Sequence, residues 1–220
     1  MGAPIATFEA LETDVKEFVK EIDLAISLSK LSKVFHQDKR ISQNFDNTYE
    51  AHPFVLCRHS IDYSLTLSIC RCHDKRSDSH GLSGFFAQIK NEVTKKNLRA
   101  GILARRRLHV DEQEAITDTN QHLEQIQEAR DRHISLKSSH RYASVRDFRH
   151  TYIAHRGRDK TTVKSTETTY LYELVGESVE IVNLLTAAIL GSHEDFQGGD
   201  EIWEMYVHRF FNKIMTDSLE

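Results

Sequence analysis

With 220 residues, the chain is long enough for one large domain or for a domain with an appendage. Charged residues make up 28% of it at a formal net charge of −4, which argues against a protein that coats nucleic acid indiscriminately but leaves room for a local basic cleft. Two prolines, Pro4 and Pro53, and nine glycines are few breakers for a chain rich in Leu, Ile, Glu, Lys and Arg, a composition that fits an all-α protein.

From Phe8 to about Phe35, apolar residues recur at helical spacing (Phe8, Leu11, Val15, Phe18, Val19, Ile22, Ile26, Leu31, Val34) and predict a long amphipathic helix. The N-terminus turns acidic within its first turns, so it does not read as a signal peptide, and Gly2 lacks the Ser or Thr of a myristoylation site. "HQDKRISQNFDN" reads as a loop, with Asn47 and Glu50 spaced like a capping box. A second helix is expected near Pro53, running through "FVLCRHSIDYSLTLSICRC", apolar on most sides and therefore central in the core. After the loop "DKRSDSHG", "LSGFFAQIKNEVTKK" opens a third helix, and "NLRAGILARRRL" is either its continuation or a short helix after it. Asp111 with Glu114 caps a long polar helix whose inner face carries Ile116, Leu123 and Ile126. "SSHRYASVRDFRHTYIAH" is helical from about Ser139, "RGRDKTTVKSTETT" is a loop, and "YLYELVGESVEIVNLLTAAIL" is a strongly apolar helix. Glu173, Glu177 and Glu180 exclude that last run as a membrane span. "GSHEDFQGG" links to a final helix, "EIWEMYVHRFFNKIM". The expected architecture is an all-α bundle of about six or seven helices, with residues 1–195 as the main domain and a helix within 196–220 packing on it. Without an apolar span, the chain reads as soluble and cytoplasmic.

Three cysteines with no Cys-x-x-Cys pair argue against a disulfide framework or zinc ribbon. Cys70 and Cys72 would point about 200° apart on a helix, so "CRCHDK" is no metal site, and both read as core residues; no cofactor is implied. The run with Lys95, Lys96, Arg99, Arg105, Arg106 and Arg107 is either a phosphate-tracking stripe or a solvated face. The sharper feature is "VRDFRHTYIAHRGRDK", which gathers Arg146, Arg149, His150, His155, Arg156 and Arg158. A pair of the form Arg-x(4–6)-His arises by chance about three times in a chain this rich in both residues, and basic residues suit a helix C-terminus in any case. Context separates it from chance, because the pair sits at the predicted end of a helix, before a Gly-containing loop and a strongly apolar helix.

In this arrangement the chain resembles the HEPN superfamily, helical bundles with an Arg-polar-x(3–5)-His motif at such a position. "RHTYIAHR" supplies Arg149, the polar His150, and the apolar-Ala-His ending Ile153-Ala154-His155. It is most similar to the abortive-infection branch of type AbiU: a long first helix, an apolar helix ending in Asp74, and a Leu82-Ser83 start to the next, over residues from about 10 to 190. Gly157 stands where toxin members regulated by nucleotidyltransferase partners often carry Tyr, and His150 where Asn or Asp is more usual. The resemblance implies an endoribonuclease of the toxin or antiviral abortive-infection type, which works without a metal and leaves 2′,3′-cyclic phosphate and 5′-OH ends. In that reading His155 is the general acid or base, Arg149 clamps the phosphate, and His150 is a second proton carrier or an orienter. Arg146, Arg156 and Arg158 are auxiliary RNA-binding charges. Six residues rotate about 240° on a straight helix, so Arg149 and His155 share a face only if the helix distorts or two protomers join their motifs. The resemblance favours the second, a homodimer with the site in its cleft, and admits an antitoxin or other regulatory partner. The competing reading is a non-catalytic module that binds nucleotide or RNA, or a dimeric interaction protein.

Overall fold

A computed structural model of the protein describes residues 5–39, 51–74, 81–150 and 167–192, with Met205, Tyr206, Arg209 and Lys213 placed singly. Among the described residues there are seven α-helices and no strand: α1 Phe8–Gln37, α2 Ala51–His73, α3 Leu82–Ile89, α4 Glu92–Arg106, α5 Glu112–Ser138, α6 His140–Phe148 and α7 Thr168–Leu185. No described helix is long and apolar enough to cross a membrane. The Asn47–Glu50 capping box lies outside the described residues, as does most of the final helix.

Helix α1 starts at Thr7, whose hydroxyl accepts from the Ala10 N–H at 3.2 Å. Its buried residues Leu11, Val15, Phe18, Ile22 and Ala25 alternate steps of four and three, so they form one stripe. That stripe meets α3, where Phe18 and Phe85 pack edge to face with centroids 5.5 Å apart, a geometry worth about 1 kcal/mol beyond the area it buries. The segment before α1 is tied to α4. The Ala6 N–H donates to Thr94 Oγ1 and Asn97 Nδ2 donates to the Ala6 carbonyl. The Phe8 ring lies directly on Gly101, where a side chain of any size would collide with it.

Helix α7 is the centre of the bundle, packing against α1, α2, α5 and α6. Leu171, Leu174, Val175, Ile181, Val182 and Leu185 are all buried, and the helix widens into a π-turn, Thr186–Leu190, closed by Gly191 at φ 71°. Its acidic residues face arginines of neighbouring helices: Arg141 holds Glu173 at 2.7 Å and also Glu177, and Arg132 holds Glu180.

Two local expectations are corrected. The segment 82–96 is not one helix. α3 ends at Ile89 and Asn91 begins α4, its side-chain oxygen accepting from the Val93 N–H at 2.9 Å; a side-chain cap competes with helix continuation at that position. Helix α2 is central only in its second half, where Leu65, Thr66, Ser68, Ile69, Cys70, Cys72 and His73 are buried. Its first half carries Arg58, His59, Ser60 and Asp62, and buries Phe54 against Phe35 in a separate small cluster. The cap at Asp111 does form, its carboxylate accepting from the Glu114 N–H at 3.0 Å. The inner face of α5 is centred on Ala115, Thr119, Ile126, Ala129, His133 and Leu136, with Ile116 and Leu123 at its margin. Cys70 and Cys72 are free and buried, and Cys57 is free and exposed.

Candidate functional site

The last turn of α2 and the end of α6 meet, and the side chains with chemistry cluster there. Helix α6 is set by Ser139, whose hydroxyl accepts from the Tyr142 N–H at 3.1 Å. It buries Tyr142 and Val145, which leaves Arg146 exposed and Arg149 one turn further on. At Arg149–His150 the backbone widens to a π-type turn.

Arg149 Nη1 donates to Asp74 Oδ2 at 2.5 Å, and each side chain keeps 20% of its surface accessible. Burial works against the charged guanidinium, yet the hydrogen bond and charge of Asp74 hold Arg149 above its ordinary pKa. The neighbouring Cys70 thiol is pushed up to about 11, by burial first and against the pull of Arg149, so it stays protonated and unreactive at neutral pH. Burial likewise raises the Tyr142 hydroxyl. A carboxylate that fixes one edge of a guanidinium leaves other N–H donors of the fork available. His150 is exposed, and Arg146 lies 3.6 Å from Asp147. The structure therefore brings Arg146, Arg149 and His150 to one helix end, while His155, Arg156 and Arg158 lie outside the described residues.

The basic run of α4 divides in two. Arg105 pairs with Glu12, Arg106 with Asp118, and Arg107 with Glu112 at 2.5 Å, so these three are committed to ion pairs. Lys95, which pairs with Glu92, and Lys96 and Arg99 lie along a cavity between α3, α4 and α5.

Behind the site lies a buried polar chain that sequence reasoning missed. His73 Nδ1 and His133 Nδ1 are 3.0 Å apart, His73 Nε2 is 2.8 Å from Ser178 Oγ, and His133 Nε2 is 3.1 Å from Ser83 Oγ. The two rings stack with centroids 5.1 Å apart. Lys137 Nζ donates both to Ser83 Oγ and to the His73 carbonyl, at 2.7 and 2.9 Å. His73 is held well below its ordinary pKa by burial, then by His133 and Lys137. His133 is pushed down to about 4 by burial and by Lys137. Both rings are neutral at pH 7, and a neutral imidazole has one donor nitrogen and one acceptor. Since one Nδ1 must donate to the other, the rings carry opposite tautomers, whichever way the chain of hydrogen bonds runs. The signal was present in the sequence. His133 and Ser178 occupy core positions in the apolar stripes of α5 and α7, where an unpaired polar group would be costly.

A family model described as AbiU2 (HEPN_AbiU2) matches residues 8–210. No curated protein and no solved structure matches the chain.

Proposed function

The chain belongs to the AbiU2 family of HEPN proteins, and from that premise we propose that it is a metal-independent endoribonuclease of the toxin or antiphage abortive-infection type. The RNA 2′-OH loses its proton to a base and attacks the adjacent phosphorus. The bond to the 5′-oxygen breaks, that oxygen takes a proton from an acid, and 2′,3′-cyclic phosphate and 5′-OH ends remain. His155 is the first proton carrier and His150 its partner or orienter, because imidazole exchanges protons near neutral pH. Arg149 stabilises the charge that develops on the phosphorus oxygens, with Arg146, Arg156 and Arg158 holding the flanking backbone. Two protomers bring their motifs together at a two-fold cleft.

The observation that carries this reading is the setting of Arg149. It is a guanidinium oriented by Asp74 at a helix end, partly accessible, with Arg146 one turn away and His150 exposed beside it. Orientation before substrate arrives is what a phosphate clamp requires. The same ion pair favours a second reading, a non-catalytic RNA- or nucleotide-binding module in which Arg149 mainly ties α6 to α2.

The 3′-end chemistry of RNA decides between them. RNA from cells expressing the wild type carries 2′,3′-cyclic phosphates that are absent with Arg149→Ala or His155→Ala, and purified protein retains cleavage in excess EDTA. Cleavage by the double variant at the wild-type rate would overturn the nuclease reading. Binding of RNA with no cyclic-phosphate ends from folded wild type would establish the second.

A further inference from the structure

The cavity between α3, α4 and α5 has a volume of about 560 Å³, within the range of about 300–1,000 Å³ typical of small-molecule sites. It lies apart from the α2–α6 junction that carries Arg149, and the proposed cleavage makes no use of it. Its floor is apolar, made by Phe86 and Ile89 of α3 with Leu123 and Ile126 of α5. Phe86, Ile89 and Ile126 are buried members of the main core, so the floor is fixed by packing.

The rim has a single sign. Lys90, Lys95, Lys96 and Arg99 line it from the end of α3 and from α4, and Arg130 lines it from α5. Among the described residues no carboxylate lines the cavity. Lys95 pairs with Glu92 at 2.6 Å on the exposed side and Lys96 lies in the field of the same carboxylate, which leaves Lys90, Arg99 and Arg130 as rim cations not offset in this way. Arg130 Nη1 contacts Gln127 Oε1 at 3.4 Å, and its Nε is buried with no hydrogen-bond partner among the described residues. Converging cations over a low-dielectric floor concentrate positive potential at one point. A multiply charged group matches that potential, and guanidinium forks match phosphate oxygens in particular. An apolar floor of fixed shape matches an uncharged ring or chain.

We propose that this cavity binds a small phosphate-bearing molecule with an apolar body, the phosphate on Lys96, Arg99 and Arg130 and the body on Phe86, Ile89, Leu123 and Ile126. A nucleoside polyphosphate and an alkyl or acyl phosphate share this chemistry.

Isothermal titration of the full chain with ATP, with decyl phosphate and with inorganic phosphate tests it. ATP or decyl phosphate binds at least about ten-fold more tightly than inorganic phosphate, and whichever of the two binds more tightly identifies the body. Lys96→Glu with Arg99→Glu, two exposed positions, weakens that binding at least about ten-fold while the helical circular dichroism is unchanged. Leu123→Asp weakens it by a similar factor through the floor. Arg149→Ala leaves binding as in the wild type, which keeps this site independent of the cleavage reading. The proposal is overturned if neither organic phosphate binds at millimolar concentration. It is equally overturned if inorganic phosphate binds as tightly as both, or if the charge-reversed variant binds as the wild type does.

Discussion

Lowering the pH from about 7 to about 5 charges histidines in the unfolded chain but not the buried pair in the folded one. His133 moves from an ordinary value of 6.5 when unfolded to about 4 when folded, chiefly through burial. Its folded pKa is depressed, so the folded state binds fewer protons and stability falls as the pH drops below the unfolded value. The loss accumulates between 6.5 and about 4 and levels off below the folded pKa. Linkage gives about 2 kcal/mol lost from His133 by pH 5 and about 3 by pH 4. His73, displaced in the same direction, adds a loss of the same sign. Two protons on the pair would put facing N–H groups at the 3.0 Å contact, so the second charge is opposed more strongly than the first. Against a domain stability of about 5–15 kcal/mol, this is a large fraction. Urea unfolding followed by circular dichroism at stepped pH measures it. His133→Gln keeps a donor and an acceptor without a titrating ring, and reduces the slope near pH 5.5 by about 1.2 kcal/mol per pH unit, nearly one proton's worth. A wild-type stability that is flat from pH 7 to 5, or a His133→Gln slope equal to the wild type, would refute the reasoning.

Three further outcomes are expected. Gly101→Ala drives a methyl into the Phe8 ring; overpacking of about 1–3 kcal/mol less about 1 for the better helix former leaves a net loss of up to about 2 kcal/mol, read as a lower urea midpoint. Asp74→Ala leaves Arg149 without its carboxylate and costs about 1–3 kcal/mol, measured by thermal unfolding; an unchanged Tm would show that the pair does not hold α2 to α6. Nitrogen-15 spectra at neutral pH show one of His73 and His133 as the Nδ1–H tautomer and the other as Nε2–H; two identical tautomers would contradict the 3.0 Å contact between their Nδ1 atoms.

The parts of the fold that could be read in the sequence were those where one periodicity dominates. The stripe of α1 and the nearly continuous apolar run of α7 have no competing interpretation. The break at Asn91 was hidden because a polar residue after "AQIK" fits an exposed helix position as well as a cap, and only the path of the chain decides. The half-exposure of α2 was hidden because Val55, Leu56 and Ile61 look like core residues, whereas Leu56 is exposed and Val55 and Ile61 are only partly buried against the small Phe35–Phe54 cluster. At the site, Arg149 was visible through its spacing to His155, and Asp74 through the end of an apolar helix. Their pairing was not visible, because the two are 75 residues apart and the contact is made by packing. His133 was overlooked because α5 is so polar that one more polar residue drew no notice, although its spacing from Ile126, Ala129 and Leu136 puts it inside.

Helix α2 ends in a carbonyl, that of His73, which accepts from Ser83 of α3 and Lys137 of α5. Terminal carbonyls are ordinarily left to water and let a helix fray; this one is moored from the interior. The place of Asp74, the next residue, is therefore inherited from the core and not negotiated by the local chain. Genetic screens would reflect this. Substitutions that impair Arg149 would surface at Ser83, His133 and Lys137, and suppressors of a weakened Asp74 would be found in α5, among side chains of the buried polar chain.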